Sequence, residues 1–117
     1  MNKYTCKLIF IFCAVVCLPV VANTTCTGTV QFAGLNPASG LLLVNYGYGV
    51  QYHCKVGETW NDVPAESCRA FYSMLLSAQL AGKRLQASYN DDFTCSRENL
   101  GDNEPTKHVL YRAIIVD

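Results

Sequence analysis

Residues 62–82 read DVPAESCRAFYSMLLSAQLAG. Pro64 suits the first turn of a helix, where its missing N–H costs no hydrogen bond. Asp62 stands where a cap belongs, and Glu66 adds negative charge where the helix dipole favours it. Gly82 is a stop signal, followed at once by Lys83 and Arg84. No Gly or Pro interrupts the residues between, which are good helix formers. Cys68, Phe71, Tyr72, Leu75 and Ala78 recur at helical spacing, so one face is apolar. The stretch predicts a single amphipathic helix.

Strand-like segments flank it on both sides. Upstream, residues 27–33 (TGTVQFA) alternate Val30 and Phe32 with Thr29 and Gln31, a half-buried strand. Residues 34–40 carry Asn-Pro and Gly and read as a turn. Residues 41–44 are continuously apolar, a strand buried on both faces. Residues 45–49 (NYGYG) turn the chain again. Residues 50–56 alternate, with Val50, Tyr52, Cys54 and Val56 on one face and Gln51, His53 and Lys55 on the other, which makes His53 a surface histidine. Downstream, residues 84–90 alternate Leu85, Ala87 and Tyr89 with Arg84, Gln86, Ser88 and Asn90. Residues 91–106 are polar and read as a long loop, of the kind that often carries function. Residues 107–116 form a last strand with apolar side chains on both faces. No internal repeat or linker interrupts the order.

The first 22 residues differ from the rest. Lys3 and Lys7 form a basic start, residues 8–18 a short apolar run, and Val20, Val21 and Ala22 a cleavage site before Asn23. This pattern predicts a secretory signal peptide over 1–22 and one domain over 23–117. The run is shorter than the roughly 20 residues of a membrane span, and Val16 is not the small residue expected before a lipoprotein cysteine at Cys17. The expected product is secreted or periplasmic, with no membrane span after cleavage. It has 95 residues with seven Lys and Arg against nine Asp and Glu, a net charge of −2. That lacks the basic stripe of a nucleic-acid binder.

Four of the seven cysteines remain after cleavage: Cys26, Cys54, Cys68 and Cys95. An even number in a short exported domain predicts two disulfides, and four cysteines permit three pairings. No metal is expected, because no CxxC pair exists and His53 and His108 lack ligand spacing. The acidic residues of the long loop do not follow an EF-hand pattern. No cofactor is expected. No nucleophile and base are brought together by the element order, so the protein is not expected to be an enzyme.

The order strand, strand, strand, helix, strand, strand predicts a mainly β protein with one helix: an OB-fold, the five-stranded Greek-key barrel, with the helix between the third and fourth strands. The helix would plug one end. In that topology the first and fourth strands run antiparallel, which brings Cys26 to Cys95. Cys54 ends the third strand and Cys68 opens the helix, so the second pair is Cys54–Cys68.

This layout resembles the B subunits of pentameric AB-type bacterial toxins, of the subtilase-cytotoxin and typhoid-toxin type. The residues that carry the likeness are Thr27-Gly28-Thr29-Val30, Tyr52-His53-Cys54, and residues 68–83 with 84–89. The resemblance covers most of the mature chain as a pattern. It implies a ring of five copies around a pore lined by the helices, a toxin A subunit as partner, and binding of cell-surface glycans, often sialylated. It also implies that Thr27, the hydroxyl residue before Gly28, contacts sugar. Tyr46, Tyr48 and Trp60 lie in loops and are further candidates, since apolar sugar faces stack on rings while hydroxyls and amides bond the rest. Leu76, Leu80, Met74 and the last strand offer more apolar surface than a small monomer buries, as a homo-oligomer would. The alternative is an exported non-toxin module that binds another protein or serves in the envelope, without glycan activity.

Overall fold

A computed structural model describes residue 17 and residues 23–117. The expected signal peptide otherwise lies outside the described residues. The described residues form six strands and two helices: β1 Thr24–Thr29, β2 Phe32–Asn36, β3 Leu41–Asn45, β4 Gln51–Lys55, α1 Ala65–Ala81, β5 Arg84–Tyr89, α2 Arg97–Leu100 and β6 Leu110–Val116. The strands make two antiparallel three-stranded sheets, ordered β1-β5-β6 and β2-β3-β4.

The long helix follows the fourth strand, one later than expected. The cause is a break in the first expected strand. Val30 donates its N–H to Lys83, the residue just before β5 of the first sheet (3.4 Å), whereas Gln31 donates to Asn45 on the second (2.9 Å). Two consecutive residues thus hand the chain from one sheet to the other, and residues 27–33 become parts of two strands. A closed five-stranded barrel does not form, since no ladder joins β4 to β6 among the described residues. Part of the free edge of β4 is instead covered by the 91–109 segment. Asp102 donates to the carbonyl of Val50 (2.9 Å), and Thr106 bonds both the carbonyl and the N–H of Tyr52.

α1 ends at Gly82, whose φ of 65° is left-handed and whose N–H bonds back to the last turn. Its start differs from expectation. Pro64 is the cap, with no side-chain cap bond. Asp62 is used one step earlier: Asn61 and Asp62 have φ of 52° and 59° and form a tight turn in which Trp60 and Val63 exchange both backbone hydrogen bonds. Two consecutive left-handed residues suit such a turn, and Asn and Asp tolerate it best after Gly.

The helix packs between the sheets through Cys68, Leu75 and Ala78, all buried, with Phe71 and Tyr72 half-buried beside them. Leu75 alone contributes about 1.5–3 kcal/mol of burial. Leu80 is 90 % exposed. Gln79 ties the helix to the edge of β2: its Oε1 accepts from the Ala33 N–H and its Nε2 donates to the Gln31 carbonyl.

Both expected disulfides are present, Cys26–Cys95 and Cys54–Cys68. They close sequence separations of 69 and 14 residues. Loop-closure entropy then assigns about 4 kcal/mol to the first and about 3 kcal/mol to the second. Two such bonds fit an oxidising compartment outside the cytoplasm. Among the described residues no helix is long and apolar enough to cross a membrane.

Candidate functional site

The outward face of the β1-β5-β6 sheet is built from residue types that bond sugars or water. Register pairs Thr25 with Ser88, Thr27 with Gln86 and Thr29 with Arg84. Alternate residues of a strand share a face. Thr25 and Ser88 bond hydroxyl to hydroxyl at 3.1 Å, so these alternating sets stand on the same side. The other side, with Cys26, Leu85 and Ala87, is buried in the core. Thr25 and Thr29 are exposed, while Thr27 and Gln86 are half-buried. On β6, Arg112, Ile114 and Val116 continue the same rows through their pairing with Ser88, Gln86 and Arg84.

Thr27 and Tyr48 meet. The Tyr48 hydroxyl donates to the Thr27 carbonyl at 2.9 Å and thereby satisfies an outer-edge acceptor of β1. Tyr48 is presented by the turn between β3 and β4. Gly47 and Gly49 there have φ of 113° and 86°, and Gly47 donates its N–H to the Asn45 side chain at 2.9 Å. Gly28, next to Thr27, has a packing reason: a Cβ there would overlap the Tyr46 carbonyl oxygen. The Cys26–Cys95 bond fixes the strand beside this point. Arg97 pairs with Asp102 at 3.0 Å and lies against Gly49, next to Tyr48 in the chain.

Tyr46 goes elsewhere. It is fully buried, its ring meets Tyr48 edge-on, and its hydroxyl lies 2.5 Å from that of Tyr89. The Tyr89 hydroxyl in turn donates to Gln51 Oε1 at 3.0 Å, and His53 Nε2 lies 2.8 Å from the same oxygen. These four residues form a buried chain of hydrogen bonds. Its electrostatics follow from burial: Tyr46 is pushed up to about 12 and Tyr89 further upward, mainly by desolvation. His53 is lowered from 6.5 to about 4 by desolvation and is neutral near pH 7. His53 is therefore not the surface histidine that the alternation suggested. Gln51 and His53 are in the core because the β4 face that carries them turns inward, where Tyr89 supplies a partner.

Trp60 sits in the tight turn that enters α1, half-buried, with the Lys55 ammonium 5.4 Å from its ring centre. Of the four candidate sugar residues, then, two adjoin on β1 and the β3–β4 turn, one is in the core, and one belongs to the β4–α1 connection. Thr25, Gln86 and Ser88 join Thr27 without having been singled out in the sequence. The alternation of residues 84–90 contained their face, but the register with β1 did not show in it. Among the described residues no cluster of three or more His, Cys, Asp or Glu could hold a metal ion.

No protein-family model, curated protein or solved structure matches the chain.

Proposed function

We propose that this is a secreted or periplasmic glycan-binding protein, with Thr27 and Tyr48 marking the sugar site on the outward face of the β1-β5-β6 sheet. The carrying observation is the row of Thr25, Thr27 and Gln86, side chains that can both donate and accept, next to a tyrosine anchored on the strand itself. Sugar hydroxyls need such mixed donors and acceptors, with a ring for their apolar faces. The reading is of binding without catalysis.

The finer fold reading goes with it. If β1 and β2 are one bent first strand, the order becomes that of an OB-fold, with the helix between the third and fourth strands. The handover at Val30 and Gln31 supports this. The resemblance to AB-type toxin B subunits then extends the proposal to a ring of five copies carrying a toxin A subunit. Leu80, Tyr111, Ile114 and Phe32 support assembly, since large apolar side chains left exposed are interface material. The same side chains favour the second reading, an exported module that docks on another protein. Native mass separates the two: a pentamer supports the first and a monomer the second.

The test of sugar binding is a glycan array probed with the disulfide-bonded protein. Binding to sialylated or other cell-surface glycans is expected, weakened tenfold or more in Thr27→Val, as expected for a lost polar contact. An array without signal overturns the reading.

A further inference from the structure

Three of the four outer sheet edges are engaged. Tyr48 caps β1 at Thr27, Gln79 ties β2 at Ala33, and the 91–109 segment bonds β4 at Val50 and Tyr52. β6 is the fourth edge, and among the described residues only β5 pairs with it.

Its free backbone groups follow from the alternation of an antiparallel ladder, in which successive residues point their N–H and C=O to opposite sides. The Thr27 carbonyl points outward, to Tyr48, so Cys26 and Gly28 face β5 at Ala87 and Leu85. Gln86 and Ser88 then face β6, at Ile114 and Arg112. Asn90 keeps the same parity and donates to the Val109 carbonyl at 3.4 Å. Ala113 and Ile115 are left with N–H and C=O turned away from β5, without a partner among the described residues. Such an edge is a template for another strand unless Pro or charge blunts it, and residues 113–116 carry neither.

Between this edge and β4 lies a pocket of about 350 Å³, bounded also by α1. Phe71, Met74 and Ala113 are apolar parts of its wall; Ser67, Tyr111 and Arg112 are polar ones. Ala113 is small, so a side chain set opposite it has room to enter. Arg112 is exposed, no carboxylate pairs with it among the described residues, and no acidic residue lines the pocket.

We propose that the β6 edge takes up an extended segment of another protein as an added antiparallel strand. An apolar side chain of that segment, opposite Ala113, enters the pocket, and an acidic one beside it lies opposite Arg112. Backbone hydrogen bonds supply the affinity, while the pocket and Arg112 select the sequence. The inference is independent of sugar binding at Thr27, so the two can fail separately.

The probe is the pentapeptide Val-Thr-Ile-Glu-Leu, acetylated and amidated, whose Ile and Glu fall opposite Ala113 and Arg112. It is titrated into the full, disulfide-bonded protein and followed by amide NMR. Shifts and slowed hydrogen exchange are expected at Ala113 and Ile115, with Thr25 and Thr27 unmoved. The peptide N-methylated at its Val and Ile loses the donors that face the edge and is expected not to bind. Replacing its Ile by Ser is expected to weaken binding about tenfold, as the pocket is left unfilled. Replacing its Glu by Lys is expected to weaken binding about fivefold, the size of an exposed ion pair, and Arg112→Glu to reverse that preference. Ile115→Pro removes one outward N–H, a change that edge strands tolerate, and is expected to weaken binding about tenfold. The proposal is overturned if millimolar peptide does not bind, if the N-methylated peptide binds as well, or if the Ser or Lys peptide binds as tightly as the original. It is also overturned if the Ala113 and Ile115 amides are already protected without peptide in a particle of more than one chain, which would put a second copy on this edge. The spectra of the unaltered protein decide should a variant fail to fold.

Discussion

Two polar clusters of this protein lie back to back. One is the outward row of Thr25, Thr27 and Gln86; the other is the inward chain of Tyr46, Tyr89, Gln51 and His53. Strand β5 serves both, giving Gln86 and Ser88 to the first and Tyr89 to the second. The residue types overlap, yet their energetics differ. Outside, an unused donor or acceptor is met by water and costs little. Inside, each unused atom carries its full desolvation penalty, so the network must be nearly complete to be tolerated. The outer cluster meets solvent; the inner one fixes structure, with His53 Nδ1 and Gln51 Nε2 as its two unpaired atoms.

The harshest way to break this division is at Gly28, where β1 passes between the clusters. Gly28→Ala forces a Cβ onto the Tyr46 carbonyl, which is backbone and cannot swing away. A loss of about 3 kcal/mol or more is expected in urea denaturation, the upper end for overpacking. Next is pH. His53 is lowered from 6.5 to about 4 in the fold, so between those values the unfolded chain takes up the proton more readily. Its contribution is complete above about pH 6.5 and is lost as pH falls toward 4, by about 3 kcal/mol in all. Denaturation midpoints from pH 7 to 4 should show this slope, and it should be missing in His53→Phe.

A smaller effect is expected from Tyr89→Phe. It removes the hydroxyl linking Tyr46 to Gln51 and should cost about 1–3 kcal/mol by the same measurement. Thr27→Val is expected to change stability least, within about 0.5 kcal/mol, because its side chain faces outward. A large loss there would erase the contrast between the clusters.

Much of the fold could be read from local signals. The helix was legible from its Pro and Gly punctuation, a short-range rule that holds in most contexts, and both sulfur pairs from the order of elements, which sets which strand ends meet. The break at Val30 and Gln31 was hidden because both residues continue a good β alternation; only the competition of Lys83 and Asn45 for their N–H groups separates them. The short helix α2, capped by the Ser96 side chain, lay inside what reads as loop, since four residues leave no periodic trace. At Gln51 and His53 the period was right and the direction wrong. Alternation tells which side chains share a face and not which face meets water; a partner such as Tyr89, 38 residues from Gln51, decides that. The proposed outer face divides the same way: Thr27 was named through the likeness alone, while its neighbours across the sheet required the register.

The most direct measurement is the backbone amide NMR spectrum of the protein titrated with a sialylated trisaccharide. Shifts are expected at Thr25, Thr27, Tyr48 and Gln86, with His53 and Gln51 unmoved. Shifts centred on the interior chain, or none anywhere at saturating sugar, would contradict the assignment of binding to the outer face.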